Sequence, residues 1–177
     1  WGKNMGEQKK YDVICIGQAV QDILTTNVPK NAFMMETDTV KADSLTITTG
    51  GDAVNEAIIL SRLGNKSSVV VRLDNRNVGD MIYQELKDEN VDVSLVSRQD
   101  DCENFTSMIF IHPDGDHDFI VGPGKNYMLS RSDVDFSVFS KARAVSAGSL
   151  FTLGELDTNG IEEIFKIAQD SGAYTFA

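Results

Sequence analysis

The sequence predicts an α/β fold in which buried parallel strands alternate with helices and antiparallel strands interrupt the series. Three observations lead to this prediction. Short runs rich in Val and Ile recur along the chain, apolar residues at helical spacing follow two of them closely, and one further pair of runs flanks a Pro-Asp-Gly turn. Strands that alternate with helices are typical of βαβ units. The pair around the turn predicts a β-hairpin.

The first 50 residues of the chain contain two predicted strands. Residues 11–17 form a β-branched run that ends in glycine, which favours a buried strand. Residues 44–49 alternate polar and apolar side chains, as in a strand with one face in water. Residues 18–43 show no regular pattern, so we expect a looser stretch there. Residues 1–10 are polar and lack the apolar core of a signal peptide, which indicates a polar leader.

Gly50 and Gly51 separate the second strand from a predicted helix. Apolar residues recur at helical spacing over residues 53–63. Asp52 precedes this pattern, and we expect its side chain to cap the helix. Gly64 follows the pattern and is a typical C-terminal stop.

The middle of the chain continues the alternation. Residues 67–73 form another buried-type strand, and a second amphipathic helix runs from about residue 78 to residue 90. Residues 91–96 are then expected to form a short third strand. Residues 105–111 and 116–121 form the two arms of the predicted hairpin.

The last part of the chain repeats the strand-helix pattern and then stops after a strand. We expect a short helix over residues 132–139, a strand over residues 142–149 and a helix that ends at Gly172. Residues 173–177 begin another strand. A βα unit is closed by a following helix, so the array looks unfinished and its C-terminal part is expected to be missing.

Composition excludes several classes of partner. With 16 basic and 27 acidic side chains, the chain has a formal net charge of −11. We therefore expect neither nucleic acid nor an anionic membrane as a partner, although a small anionic substrate stays open. No apolar run approaches the roughly 18 residues of a membrane span. The two cysteines lack metal-type spacing, which favours a reducing cytoplasm.

Common cofactor and metal motifs are absent. No phosphate-loop sequence occurs, and residues 17–22 contain only one glycine of a dinucleotide fingerprint. His112 and His117 flank the predicted hairpin turn, where we interpret them as solvated residues and not as a metal pair. The sequence thus assigns no metal ligand.

Two interpretations stay open for the segment around Gly50 and Gly51. The glycines and the following helix form either a tight turn with an ordinary cap or a place where a ligand approaches the backbone and the free N–H groups. In the second case Asn55, about one turn into the helix, adds an amide that both donates and accepts. Asp22 follows the first parallel strand, where ligands bind in open α/β sheets, but an ordinary loop aspartate is the alternative.

Together these residues resemble the N-terminal half of the ribokinase-like (PfkB) carbohydrate kinases. The first signature of that family is a glycine pair, three variable residues, asparagine, one residue, alanine, and a leucine-glycine pair at the helix end. Here it stands as residues 50–57, closing with Leu63 and Gly64. Further segments that resemble the family lie at residues 17–22, 78–80, 105–121 and 124–129, so the likeness runs from about residue 11 to residue 177.

The resemblance implies a three-layer sandwich with a mostly parallel sheet and a small antiparallel β-lid, formed near residues 18–49 and 105–121. It implies phosphorylation of a hydroxymethyl group on a sugar or sugar acid, with ATP and Mg²⁺ as cofactors of the complete enzyme. Asp22 and Asn55 would hold substrate hydroxyls, and Gly50 and Gly51 would give backbone access. A homodimer through the lid is a further implication.

Two departures from the family pattern qualify this expectation. Ribokinases carry lysine-glycine-alanine where this chain has residues 52–54, Asp-Ala-Val, which favours a fructokinase-like or 2-keto-3-deoxygluconate kinase-like activity over ribose. The second family signature, which supplies the general base, does not occur in residues 1–177, so this chain alone is expected to be inactive. A non-catalytic sugar-binding or interaction module and a nucleoside kinase of the same superfamily are the alternatives.

Overall fold

Strands and helices alternate along residues 9–177, the part of the chain that this computed structural model describes. The strands are β1 (Tyr11–Ile16), β2 (Val20–Thr26), β3 (Ser44–Gly50), β4 (Ser67–Val70), β5 (Arg72–Asp74), β6 (Ser97–Gln99), β7 (Thr106–Ile111), β8 (His117–Val121), β9 (Ala142–Ala147) and β10 (Tyr174–Phe176). The α-helices are α1 (Asp52–Arg62), α2 (Asn77–Asp88) and α3 (Gly160–Asp170).

The main sheet contains β10, β9, β1 and β4 in that order, and all its strands pair in parallel. Ile14 and Ile16 of β1 belong to an apolar cluster that includes α3, whereas Val13 and Cys15 belong to a second cluster that includes α1 and α2. Both faces of the sheet are therefore covered, because successive side chains of a strand point to opposite faces. The predicted α/β sandwich with helices on both sides is confirmed.

The second sheet contains β3, β2, β7 and β8 in that order. β2 pairs antiparallel with β3 and parallel with β7, so this sheet is mixed. β7 and β8 form the predicted hairpin, with Phe110 opposite Asp118. The strands of this sheet come from the two stretches that the sequence assigned to a lid, residues 18–49 (β3 reaching residue 50) and 105–121.

The prediction of a looser stretch over residues 18–43 is wrong for Val20–Thr26, which forms β2. This segment has no period-two pattern of its own. Its strand conformation comes from ladders on both sides, which run from Val20 to Thr26 against β3 and from Gln21 to Thr26 against β7. Pairing between distant segments is the part of β-structure that local sequence specifies least.

Two further strand predictions need correction. The run over residues 67–73 is interrupted at Val71, because β4 stays in the main sheet while β5 pairs in parallel with β6. The third strand predicted over residues 91–96 is wrong. Only a single bridge joins Asp92 to Ser68 there, and the paired strand is Ser97–Gln99.

Two helix predictions also differ in detail. The N-cap of α1 is Gly51, and no side chain caps this helix, so the predicted capping role of Asp52 is wrong. The helix predicted over residues 132–139 is replaced by two 3-10 segments, Arg131–Asp133 and Phe136–Lys141. The strands predicted over residues 142–149 and 173–177 are confirmed in shorter form.

His112 is buried, so its interpretation as a solvated hairpin residue is wrong. Its Nδ1 lies 2.7 Å from the Val28 carbonyl oxygen, and its Nε2 lies 3.1 Å from a carboxylate oxygen of Asp118. The side chain therefore ties the chain that follows β2 to the hairpin.

The polar leader predicted for residues 1–10 falls mainly outside the described residues. Within residues 9–177, no helix is both long and apolar enough to cross a bilayer.

Candidate substrate-binding site

The candidate site begins where the main sheet and the second sheet meet, around four glycines. Gly17 follows β1, Gly50 ends β3, Gly51 caps α1, and Gly148 follows β9. A Cβ at Gly17 would come within 2.9 Å of the Ala53 side chain, and one at Gly148 would come within 2.6 Å of Cβ of Asp52. The start of α1 therefore packs directly against the carboxyl ends of two parallel strands, the edge where α/β sheets bind ligands.

Gly51 is required by its backbone. Its φ is +94°, and a Cβ there would collide with the carbonyl of Gln18. Both constraints leave glycine as the residue that fits. The glycine pair thus serves close packing of the chain in addition to any contact with a ligand.

The Asp22 carboxylate lies directly over Gly50. A Cβ on Gly50 would overlap this carboxylate, so glycine provides the space that the acid occupies. Asp22 is partly buried, and no residue in the described part of the chain donates a hydrogen bond to it. Burial raises the pKa of Asp22, and no cation offsets that effect. An unpaired carboxylate in this position is available to accept hydrogen bonds from a ligand.

Thr48 and Ser107 flank Asp22 in the second sheet. Thr48 is its partner on β3 and Ser107 its partner on β7, so the three side chains share one face. Ser107 as a residue is 6% exposed, no described residue forms a hydrogen bond with its hydroxyl, and the hydroxyl oxygen is not fully enclosed. Sequence reasoning missed both hydroxyls, because their position beside Asp22 depends on the register of strands that are distant in the chain.

Asn55 lies one turn into α1 and is exposed. Its backbone N–H donates to the Gly51 carbonyl, and its side-chain amide has no hydrogen-bond partner among residues 9–177. The structure thus brings the four predicted site residues to one junction. Asp22 contacts Gly50, Gly51 follows, and Asn55 is one helical turn further on.

Asp52 links α1 to the loop after β9. Its Oδ2 accepts a 2.9 Å hydrogen bond from the Ser149 N–H and a 3.1 Å hydrogen bond from the Ser149 hydroxyl. Ser149 has a φ of +56°, and Phe151, which is 92% exposed, has a φ of +68°. Residues other than glycine rarely adopt this region, and such strain clusters at functional sites. The sequence offers no signal for this contact, because it joins residues 97 positions apart.

A prominent cavity lies away from this junction. It has a volume of about 710 Å³ and is lined by Thr25, Phe33, Leu45 and Phe110, among others. Thr25, Leu45 and Phe110 occupy the face of the second sheet opposite to that of Asp22, as the strand register shows. Size alone therefore does not identify the site.

Residues 9–177 show neither a cluster of metal-ligating side chains nor a phosphate-loop motif. Within residues 9–177, no group of three or more His, Cys, Asp or Glu side chains is arranged to hold a metal ion. No phosphate-loop motif occurs in the sequence. The residues at the junction are suited to contacts with hydroxyl groups, and we assign them no step that involves the nucleotide.

The fold is that of an α/β protein with a parallel sheet and a second, mixed sheet. The Asp22 carboxylate and the Asn55 amide both lie at the junction of the two sheets, beside the carboxyl ends of the parallel strands. The model of the pfkB family of carbohydrate kinases matches residues 10–177. The chain therefore belongs to this family.

Known relatives have the same fold and are about twice as long. Ribokinase from Mus musculus is 24% identical over 94% of this chain and 54% of its own length. Probable fructokinase-6, chloroplastic, from Arabidopsis thaliana is 24% identical over 93% of this chain and 42% of its own length. The structure of Arabidopsis thaliana ribokinase complexed with ribose and ATP aligns with a TM-score of 0.69 at 20% identity, covering 93% of this chain and 52% of that one. The chain spans about half the length of the curated relatives it matches.

Proposed function

We propose that this chain carries the substrate-binding part of a kinase that transfers the γ-phosphoryl group of Mg-ATP to a hydroxymethyl group of a sugar or sugar acid. A fructokinase-like or 2-keto-3-deoxygluconate kinase-like activity fits the Asp52 departure from the ribokinase pattern. The observation that carries the proposal is the Asp22 carboxylate, which lies over Gly50 without a donor from the described protein. Membership of the pfkB family supports it.

Each residue of the junction has a chemical role in this proposal. Asp22 accepts hydrogen bonds from two hydroxyl groups of the substrate, which replace the water lost on burial. Asn55 donates to one substrate oxygen and accepts from another. Gly50 and Gly51 keep side-chain atoms away from the sugar, so that it contacts the backbone.

The second sheet is proposed to act as the lid and to contact a second copy of the chain. Its edge strand β8 is exposed throughout, and Leu45 and Ile47 of β3 are 65% and 54% exposed. A lid that excludes water protects a phosphoryl donor from hydrolysis. If the sheet forms the dimer contact, Ile47→Asp should convert the protein from dimer to monomer in light scattering; an unchanged mass would contradict the contact.

The remaining parts of the reaction are assigned outside this chain. ATP, Mg²⁺ and the general base belong to the complete enzyme, as the family likeness implies. We place the protein in the cytoplasm, where its buried free thiols, Cys15 and Cys102, would stay reduced.

The test is a phosphorylation assay with the full-length protein that contains this chain. Neutral sugars, sugar acids and nucleosides are each incubated with Mg-ATP, and ADP release is measured. We expect turnover of a sugar or sugar acid. Turnover of nucleosides alone would identify a nucleoside kinase instead of a sugar kinase. Binding of a sugar without turnover would favour a non-catalytic sugar-binding module. The absence of both binding and turnover would overturn the proposal.

A further inference from the structure

We infer that His112 is a proton-operated latch of the second sheet. As an imidazolium it holds the edge strand β8 to the chain that follows β2, and loss of the proton releases β8. The observation behind it is the pair of hydrogen-bond acceptors that face the two nitrogens of its ring. Because the second sheet is proposed to act as the lid, release of β8 is expected to weaken substrate binding.

Both ring nitrogens of His112 face groups that only accept hydrogen bonds. Nδ1 lies 2.7 Å from the Val28 carbonyl oxygen, and Nε2 lies 3.1 Å from a carboxylate oxygen of Asp118. A neutral imidazole has one N–H and one lone pair, whereas an imidazolium has an N–H on each nitrogen. A carbonyl and an ionised carboxylate have no proton to donate. The protonated ring is therefore the form that satisfies both partners at once.

Loss of the proton to solvent should break the contact with Asp118 and keep the one with Val28. The His112 side chain is 4% exposed, while the Asp118 side chain is 71% exposed and can turn into water. Val28 is buried, so its carbonyl retains the remaining N–H of the ring. The lone pair on Nε2 would then face the negative carboxylate, and the two repel each other. Asp118 is thus the partner that leaves.

The other charged groups around His112 lie at or near the hairpin turn. The Lys30 ammonium is 2.9 Å from a carboxylate oxygen of Asp114 and 2.8 Å from one of Asp116. The hydrogen bond to Val28 and the carboxylate on β8 raise the pKa of His112, while burial and Lys30 lower it, and the net shift is upward. Because histidine ordinarily titrates at about pH 6.5, release is expected as pH rises through the neutral range.

β8 depends on this contact because little else holds it among residues 9–177. It lies at the edge of the second sheet, pairs with β7 alone and is exposed throughout. Within this part of the chain, His112 is the one residue whose side chain forms a hydrogen bond with a side chain of β8. A strand with so few buried contacts opens locally at low cost. Removal of one contact should therefore raise the open population measurably.

The strand register connects β8 to the candidate site. Val121 of β8 pairs with Ser107 of β7, and Ser107 pairs with Asp22 of β2. Residues that pair directly across neighbouring strands lie on the same face of a sheet. When β8 opens, the row of side chains that contains Asp22 loses its outer member.

The first test follows the proton and the strand together in the full-length protein, without substrate. With isotope-labelled histidine, NMR at about pH 5.5 should show a proton on both ring nitrogens of His112. Amide exchange protection of β8, corrected for the intrinsic rate, should fall on the order of tenfold between about pH 5.5 and about pH 8.5. Protection of β1 should stay constant. A single ring proton at the lower pH, or protection of β8 that is independent of pH, would overturn the inference.

Asp118→Asn separates the latch from a general effect of charge. The asparagine amide can donate to the lone pair of a neutral ring, so the contact survives loss of the proton. Protection of β8 should then change less than about twofold over the same pH range. Asp114→Asn removes the same charge from the same hairpin, where its partner is Lys30, and should behave as wild type. Wild-type pH dependence in Asp118→Asn, or its loss in Asp114→Asn, would contradict the latch.

The consequence for binding rests on the proposed function and is measured separately. KM for the sugar should rise with pH in wild type relative to Asp118→Asn, and parallel KM profiles would overturn the coupling of the latch to the site. A protein that shows the latch but no turnover of any sugar would overturn the proposed function alone. Turnover with pH-independent protection of β8 would overturn the latch alone.

Discussion

In the main sheet, Ile14 and Cys15 occupy adjacent positions of β1 and are both fully buried, whereas in the second sheet Leu45 and Ile47 of β3 remain 65% and 54% exposed. The first sheet is stabilised by apolar burial on two faces. The second is stabilised by its hydrogen-bond ladders, by polar contacts with the rest of the chain and by fewer apolar contacts, such as the edge-to-face pair of Phe33 and Phe110. The candidate site lies where they join, so its two sides belong to sheets that differ in how much apolar surface they bury.

Removing core volume should separate the two sheets most strongly. Ile14→Ala empties a fully buried position and is expected to lower the free energy of unfolding by about 4 kcal/mol. Ile47→Ala, on the exposed face of the second sheet, should change it by less than about 1 kcal/mol. Denaturant unfolding measures both. Similar losses would show that the second sheet has a buried core of its own.

The glycine junction should show the next largest effect. Gly51→Ala places a Cβ against the Gln18 carbonyl at a positive φ, so we expect a loss of about 3 kcal/mol in the free energy of unfolding. Gly64 has a similar φ of +87°, but a Cβ added there would meet no atom within 4 Å, which makes it the matched control. Gly64→Ala should cost about 1 kcal/mol. If denaturant unfolding shows equal losses for both variants, the collision at the junction is not the cause.

A buried polar contact between Asp74 and Asn104 connects the α2 region to the start of β7. The Asn104 side chain accepts a 2.7 Å hydrogen bond from the Asp74 N–H and donates to the Arg72 carbonyl, while Asp74 accepts from the Asn104 and Gly79 N–H groups. Asn104→Ala leaves buried groups unpaired and should cost about 2 kcal/mol. Amide hydrogen exchange should then speed up in β7 and remain slow in β1. Uniform acceleration in both strands would contradict a local tie.

The smallest effect is expected from the titration of His112. The Val28 carbonyl, followed by Asp118, raises the pKa of His112 above its ordinary value. The protonated form is thus favoured in the folded state, and its stabilising contribution is present at low pH and lost as pH rises through the raised pKa. Melting temperatures from about pH 5.5 to about pH 8.5 should decline less for His112→Gln than for wild type. The control His117→Gln should follow wild type, and identical slopes for all three would refute the role of His112.

The sequence predicts the main sheet better than the second for a physical reason. β1 is recognisable because burial on both faces selects a continuous Val and Ile run. β2 is not, because its residues become a strand only through pairing with β3 and β7.

The same distinction applies to the site. Gly50, Gly51 and Asn55 are candidates from spacing and from the resemblance to the family signature, since they belong to one local turn and helix. Ser107 and the contact between Asp52 and Ser149 depend on segments that are far apart in the chain, and local pattern does not contain that information.

Sugar binding by Asp22→Asn in the full-length protein tests directly whether this carboxylate holds the substrate. The variant removes a carboxylate whose burial disfavours the charged form, so its melting temperature should equal or exceed that of wild type. Calorimetric titration with the best substrate should show affinity weakened about 10- to 100-fold, which corresponds to about 1–3 kcal/mol for lost hydrogen bonds. Asp38→Asn, in an exposed loop, should bind as wild type does. Unchanged affinity in Asp22→Asn would show that this carboxylate does not hold the substrate.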